Sequence, residues 1–153
     1  GGEVNEPDRI RRVLETAETV AVVGCSPDPS RASHAISRFL MAQGYRVVPV
    51  NPNHASILGQ TCYPSLSEVP ASIRVDVVDV FRRSEAVAPI AEEALARRVP
   101  FFFMQLGVRD PAAAARLEAA GIGVAMDRCI LVEHERLGIP PKSRNSKSED
   151  SVP

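Results

Sequence analysis

A polar loop that follows a strongly apolar run is the first feature that could do chemistry. Residues 19–33 read TVAVVGCSPDPSRAS. Gly24 would let the backbone approach a ligand, and the helix expected next would aim N–H groups and a partial positive charge at the same place. Arg31 adds a forked donor that suits a phosphate, while Ser26 and Ser33 add hydroxyls. We therefore predict that this loop holds a phosphate group.

The backbone of the same loop offers further donors. Its two prolines remove two N–H groups and stiffen the chain. The remaining residues keep theirs, and we expect five of these N–H groups to be available: those of Cys25, Ser26, Asp28, Ser30 and Arg31. A tight strand-to-helix turn with a helix-capping serine is the alternative interpretation of the loop.

The end of the second apolar run disfavours a dinucleotide site. Such sites typically carry G-x-G-x-x-G after the first strand and an acid after the second. This chain lacks the glycine pattern, and its second run ends in PVNP, without a carboxylate. Asn51 could hydrogen-bond a sugar or a base, and Pro52 would form a flat apolar wall. The loop therefore argues against NAD but not against a nucleotide.

A third loop pairs an aromatic residue with two cations. Phe81 could pack against an adenine or a pantetheine chain, and Arg82 or Arg83 could pair with a phosphate near a helix capped by Ser84. A core phenylalanine beside two solvated arginines is the alternative. The position after a strand favours the ligand-binding interpretation as much as the structural one.

The last two loops carry weaker signals. Gln105 at a buried strand end needs hydrogen-bond partners, which a ligand could supply, and Gly107 permits close backbone approach. Asp127 beside Arg128 could form a local ion pair that holds its own loop. These residues extend the candidate site without defining it.

Alternating helix and strand patterns would bring the five loops together. Apolar residues at helical spacing predict helices over residues 7–18, 33–43, 84–98, 112–120 and 130–137, and apolar runs predict strands over 19–24, 45–50, 75–81, 100–105 and 122–126. Strands separated by helices form right-handed βαβ units. We therefore predict an α/β fold, a three-layer, Rossmann-like doubly wound sheet of about five parallel strands, with the site beyond their carboxyl ends.

Size, composition and charge limit the possible classes of protein. With 153 residues, 44% of them hydrophobic, the chain fits a single domain over residues 1–139, followed by a polar, disordered tail over 140–153. A formal net charge of -1 gives no reason to expect nucleic-acid binding. No apolar run approaches the roughly 18 residues of a membrane span, and no signal-peptide pattern is seen. Three scattered cysteines fit a reducing compartment, so we expect a cytoplasmic protein.

Taken together, these segments resemble a known family. VAVVGCSPDPSRASH, RVVPVNP, VDVVDVFRRSE, the QLGV strand end and MDRC are similar to the small bacterial CoA-binding proteins. Those proteins are stand-alone relatives of the amino-terminal CoA-binding domain of the succinyl-CoA synthetase alpha subunit. The resemblance runs over about residues 16–137, and it implies a Rossmann-like fold that binds coenzyme A.

The resemblance also implies where each part of CoA would lie. The ADP and pyrophosphate part would lie over the first loop and the start of the next helix, with the adenosine beside the second loop and the later loops lining the cleft. An arginine suits the 3′-phosphate of CoA better than a carboxylate does, so we assign that group to Arg31 or Arg82. The full set of implied binding residues is Gly24, Cys25, Ser26, Arg31, Ser33, Asn51, Pro52, Phe81, Arg82, Arg83, Ser84, Gln105 and Gly107.

The expected function is binding of CoA or acyl-CoA without catalysis. The second synthetase domain with its phosphorylated histidine and the nucleotide-grasp subunit have no counterpart in this sequence, and the three histidines lack metal-ligand spacing. A protein partner or a homodimer is compatible with a carrier, sensor or subunit. One alternative is an enzyme that uses Cys25 or Cys129 as a nucleophile on CoA thioesters or disulfides. Another is a regulator that responds to NAD(H).

Overall fold

The computed structural model of the protein describes residues 6–142. The tail predicted from residue 140 onwards therefore lies almost wholly outside the described residues. In chain order the helices are α1 (Glu6–Thr16), α2 (Ala32–Ala42), α3 (Val87–Arg97), α4 (Pro111–Ala119) and α5 (Ile130–Arg136). The strands are β1 (Thr19–Val23), β2 (Arg46–Val50), β3 (Ser56–Ile57), β4 (Gln60–Thr61), β5 (Val77–Val80), β6 (Phe101–Met104) and β7 (Gly123–Met126).

Five of these strands form one parallel sheet in the order β2-β1-β5-β6-β7. The chain leaves β1 towards β2 on one side and later returns to β5 on the other, so the strand order reverses between β1 and β5. The predicted doubly wound parallel sheet is thereby confirmed. Ligands of such sheets bind at this reversal, beyond the carboxyl ends of the strands.

Helices cover both faces of the sheet, which explains why β1 is apolar throughout. Val20 and Val22 pack in a cluster with residues of α1, α2 and α5, whereas Ala21 and Val23 pack in a second cluster with residues of α3 and α4. Successive strand residues point to opposite faces, so both sets need apolar side chains. Across residues 6–142, none of the helices is long and apolar enough to cross a membrane.

Two helices differ in how they begin. Asp110 caps α4, accepting a hydrogen bond from the Ala113 N–H at 3.0 Å, with Pro111 in the first turn. Ser84 does not cap α3, because one 3₁₀ turn over Ser84–Ala86 precedes that helix. The Ser84 hydroxyl instead accepts a hydrogen bond from the Arg109 N–H at 2.9 Å, which joins the ends of two loops.

Arg97 ties the end of α3 to the loop that precedes β5. Its guanidinium donates to the carbonyl oxygens of Val69, Pro70 and Ile73 at 2.6, 3.3 and 2.9 Å. Arg97→Ala leaves these carbonyls without that donor, and we expect it to lower the free energy of unfolding by about 2 kcal/mol. Urea unfolding measures this loss. The exposed neighbour Arg98 is the control, since Arg98→Ala should change stability by less than about 0.5 kcal/mol; equal effects of both would contradict the assignment.

Candidate functional site

Gly24 lies where the strand order reverses. Its φ of +87° is in the left-handed region that favours glycine, and its N–H donates to the Val50 carbonyl at 2.9 Å. A Cβ at this position would lie 2.6 Å from the Phe81 carbonyl oxygen and 2.8 Å from the Arg82 Cδ. The loop after β1 and the loop after β5 are therefore in direct contact, and the Arg82 stem lies against Gly24.

The backbone donors of the loop after β1 are already bonded within the protein. Each of the five N–H groups that we expected to be available has an acceptor: Cys25 donates to the Val50 carbonyl (3.3 Å), Ser26 to the Ser33 Oγ (2.9 Å), Asp28 to the Ser26 Oγ (3.0 Å), Ser30 to the Asp28 Oδ1 (2.9 Å) and Arg31 to the Asp28 carbonyl (3.0 Å). That expectation is wrong, because the short polar side chains of the loop fold back onto its own backbone.

Donors for an anion remain at the start of α2. Arg31 occupies the N-cap position of this helix and contributes no side-chain hydrogen bond to it. Within residues 6–142, the N–H groups of Ala32 and Ser33 have no acceptor. The first N–H groups of a helix carry partial positive charge, so the free donors lie in this first turn rather than in the loop itself.

Asn51 connects the loop after β1 to the end of β2 by a hydrogen bond. Its Nδ2 donates to the Cys25 carbonyl at 2.8 Å, and its Oδ1 accepts a hydrogen bond from the Asn53 N–H at 2.8 Å. Both ends of the amide therefore serve the protein itself. The neighbouring Pro52 is exposed and remains free to line a ligand.

Asp127 holds the loop after β6 in place. Its Oδ1 accepts a hydrogen bond from the Gly107 N–H at 2.7 Å, and its Oδ2 lies 3.6 Å from the Arg109 guanidinium. The local ion pair predicted with Arg128 is wrong, since Arg128 instead pairs with Glu6 of α1. Gly107 has a φ of +84°, and no protein atom lies within 4 Å of the position that a Cβ would occupy. Glycine is therefore favoured here by the left-handed backbone and not by close contact with another part of the protein.

Gln105 is buried, and its Oε1 accepts a hydrogen bond from the Ile130 N–H at 3.0 Å. We expected a ligand to supply the hydrogen-bond partners of Gln105, but the start of α5 supplies the partner of this oxygen. Leu106 follows it and is 64% exposed, at the same edge of the sheet.

Three arginines remain available at this edge. Arg31, Arg82 and Arg83 are exposed, and none of them forms an ion pair with a carboxylate in the part of the chain described. Phe81, beside two of them, is half-buried and packs against the apolar cluster of α1, α2 and α5. The edge thus offers three exposed arginines, of which Arg31 interacts electrostatically with the Asp28 carboxylate, next to a partly exposed aromatic ring. This arrangement suits a phosphorylated ligand.

The cysteines are poorly placed for nucleophilic chemistry. Cys25 is fully buried, with its Sγ 3.6 Å from the Ser37 Oγ, and burial raises the pKa of its thiol. Cys62 and Cys129 are buried as well. The thiolate is the reactive form, so burial disfavours reaction at Cys25 near neutral pH. Among the described residues there is also no group of three His, Cys, Asp or Glu that could hold a metal ion.

Sequence reasoning missed a buried acid beneath this edge. Asp79 of β5 is fully buried between Val22 and Phe103 of the neighbouring strands, and neither carboxylate oxygen has a hydrogen-bond partner in residues 6–142. Burial raises the pKa of Asp79 well above its ordinary value. The signal available in the sequence was the second of the two acids in the run VDVVDVF, because strand alternation places Asp79 on the same face as the apolar Val77.

Comparison with known proteins gives the chain its family. The CoA binding domain family matches residues 18–135. YneT, an uncharacterized protein of Bacillus subtilis, is 40% identical over 125 residues, which cover 82% of this chain and 91% of YneT. A hypothetical protein from Pyrococcus horikoshii has a similar structure, with a TM-score of 0.82 and 32% identity, covering 89% of this chain and 93% of that one.

A longer relative shows the same segment inside a larger protein. The ADP-forming acetate–CoA ligase I of Archaeoglobus fulgidus is 29% identical over 127 residues, which are 80% of this chain but 16% of the ligase. The match supports the relationship to acyl-CoA synthetases that the sequence motifs indicated. The family match spans most of the chain, and the fold agrees with it. The chain belongs to the CoA-binding domain family.

Proposed function

We propose that the protein binds coenzyme A or an acyl-CoA beyond the carboxyl ends of β1, β2 and β5, without catalysing a reaction on it. The observation that carries this proposal is the chemistry where the strand order reverses. There the first turn of α2 has free N–H groups, and three exposed arginines form no ion pair with a described carboxylate, Arg31 having only a longer-range electrostatic interaction with Asp28. Such an edge favours a ligand with several phosphates.

The pyrophosphate of CoA would accept hydrogen bonds from the N–H groups of Ala32 and Ser33. Arg31 and Arg82 approach this place from two loops, and the Arg82 stem lies against Gly24. Either guanidinium could make a forked contact with the 3′-phosphate. NAD carries no 3′-phosphate, and Asn51 stands at the end of β2 where an NAD site has a carboxylate, so CoA is favoured over NAD(H).

A non-catalytic role is favoured by the state of the nucleophiles. Burial raises the pKa of Cys25, so its thiol stays protonated at neutral pH. His34 and His134 are both buried, and burial lowers the pKa of His134. The thiol-enzyme alternative therefore has little support from the geometry of the described residues.

Isothermal titration calorimetry tests the proposal. CoA should bind, NAD and NADP should not, and dephospho-CoA should bind more weakly than CoA because it lacks the 3′-phosphate. Absence of heat with CoA, or equal affinity for CoA and dephospho-CoA, would contradict it.

The same titration identifies the arginine that holds the 3′-phosphate. Loss of a charge-assisted contact should weaken CoA binding by about tenfold to a hundredfold in Arg82→Ala or in Arg31→Ala. The responsible variant should bind CoA and dephospho-CoA equally, because the contact that distinguishes them is gone. Arg98→Ala, at the opposite edge of the sheet, is the control and should bind both ligands like the unmodified protein. If neither variant reduces the difference in affinity between CoA and dephospho-CoA, the 3′-phosphate lies elsewhere.

A further inference from the structure

A second concave surface lies at the amino-terminal edge of the sheet, at the opposite end from the proposed CoA cleft. This groove has a volume of about 620 Å³ and is formed by α1, the end of α4 and the starts of β6 and β7. Val13 and Pro100 supply apolar surface to it, and the edges of the buried Phe101 and Ile122 form its floor. Its volume lies within the range of about 300 to 1,000 Å³ that is usual for small-molecule sites.

The floor of the groove depends on a glycine. A Cβ at Gly123 would lie 2.5 Å from the Phe101 Cδ2, so the phenyl ring occupies the space that a side chain would take. Position 121 is also glycine, which leaves the backbone of this turn uncovered by side chains. The result is an open surface with an aromatic ring beneath exposed backbone, rather than a surface filled by side chains.

The rim of the groove carries unbalanced positive charge. Arg9 and Arg12 lie one turn apart on α1, both are exposed, and neither guanidinium has a hydrogen bond or an ion pair with a described residue. Arg11, between them, donates instead to the Leu137 carbonyl at 2.8 Å. Glu118 is the one acid among the lining residues. Like charges at this helical spacing repel each other, and a bound anion would remove that repulsion.

We propose that this groove binds an organic anion, with its carboxylate or phosphate group between Arg9 and Arg12 and its apolar body against Val13 and Pro100. Two guanidinium groups provide forked donors for either anionic group. The apolar floor excludes water from the rest of the ligand and favours an aliphatic or aromatic body. The site lies at the other edge of the sheet from the CoA cleft, so both can be occupied at once and neither proposal depends on the other.

Octanoate is a suitable probe, with octylamine and octanol as controls of equal chain length. In ¹⁵N–¹H NMR titrations, octanoate should shift the amide signals of Gly121 and Gly123, whereas octylamine and octanol should not. The double variant Arg9→Gln/Arg12→Gln should weaken octanoate binding at least tenfold. Equal binding of octylamine, or no shift with octanoate, would overturn the proposal.

Substitution of Glu118, the acid in the groove, should have the opposite effect on anion binding. Glu118→Gln removes the one negative charge of the lining, so octanoate should bind a few times more tightly. Arg98→Gln, an exposed arginine outside this lining, should have no effect. CoA binding should be the same in the double arginine variant as in the unmodified protein. Unchanged octanoate affinity in both the double variant and Glu118→Gln would overturn the electrostatic basis of the site.

Discussion

Asp79→Val is expected to stabilise the protein by about 2 kcal/mol at pH 7, because valine removes an unpartnered polar group from the centre of the sheet. The carboxyl of Asp79 is fully buried between Val22 and Phe103, and neither oxygen is hydrogen-bonded within residues 6–142. Valine has a similar volume and suits a strand with both faces covered. A substitution at a charged residue would then increase stability, opposite to the usual effect of mutations in a core.

The gain from Asp79→Val should increase with pH. Burial raises the pKa of Asp79 in the folded protein well above its ordinary value of 3.8. Below the ordinary value the carboxyl is protonated in both the folded and the unfolded chain. As the pH rises from there through the folded pKa, the unfolded chain releases a proton that the folded chain keeps, so the stability of the unmodified protein falls. The valine variant lacks this loss.

Urea unfolding at several pH values between 4 and 8 measures this effect. Asp79→Asn is the matched control, because it cannot ionise but keeps a polar group at the same place. It should remove the pH dependence without the full gain in stability. A valine variant less stable than the unmodified protein would show that Asp79 has a stabilising partner, and a gain that does not change with pH would show that folding does not raise the pKa of Asp79.

Gly24→Ala is expected to lower the free energy of unfolding by about 3 kcal/mol, since it combines backbone strain with a steric overlap. A residue with a side chain is disfavoured at a φ of +87°. Its Cβ would also lie 2.6 Å from the Phe81 carbonyl oxygen, which belongs to the backbone and cannot move unless the loops after β1 and β5 separate. CoA binding should weaken as well, because the same separation would move Arg82.

Gly121 provides a matched control for Gly24. It has the same φ of +87°, but no atom lies within 4 Å of the position of its Cβ. Gly121→Ala should therefore show only the cost of the left-handed backbone, about 1 to 2 kcal/mol. Urea unfolding of both variants separates the two contributions. Equal destabilisation in the two would mean that the contact between Gly24 and Phe81 has no energetic consequence.

The strands and their connections could be predicted from the sequence because burial on both faces demands continuous apolar runs. VAVV and FFFM have that character, and the helices between the strands fix a parallel sheet. Boundaries differ by up to three residues from the prediction, most where a loop competes for a side chain. Ser84 is an example, since its hydroxyl bonds the loop after β6 instead of capping α3.

The hydrogen bonds of the candidate site could not be predicted from residue types alone. The hydroxyls of Ser26 and Ser33 were expected to serve a ligand, and the structure uses both, together with the Asp28 carboxylate, to satisfy the loop's own N–H groups. The choice depends on loop geometry, because such side chains can bond either neighbouring backbone or a ligand. The positions of the site residues were easier to predict than their hydrogen-bond partners. Gly24 and Arg82 lie together at the strand reversal, as the order of motifs implied.

The buried acid shows a second limit. A carboxylate in an apolar run can be an edge-strand residue, the partner of a buried cation, or an unpartnered group, and these possibilities differ only in three-dimensional contacts. Asp79 is the third case, in the central strand of the sheet.

An NMR titration of ¹⁵N-labelled protein with CoA tests the proposed cleft most directly. If CoA binds there, the amide signals of Ala32 and Ser33 should shift together with that of Gly24, while those of Gly121 and Gly123 at the opposite edge should stay unchanged. No shift on addition of CoA, or shifts confined to Gly121 and Gly123, would contradict a CoA site at the carboxyl ends of the strands.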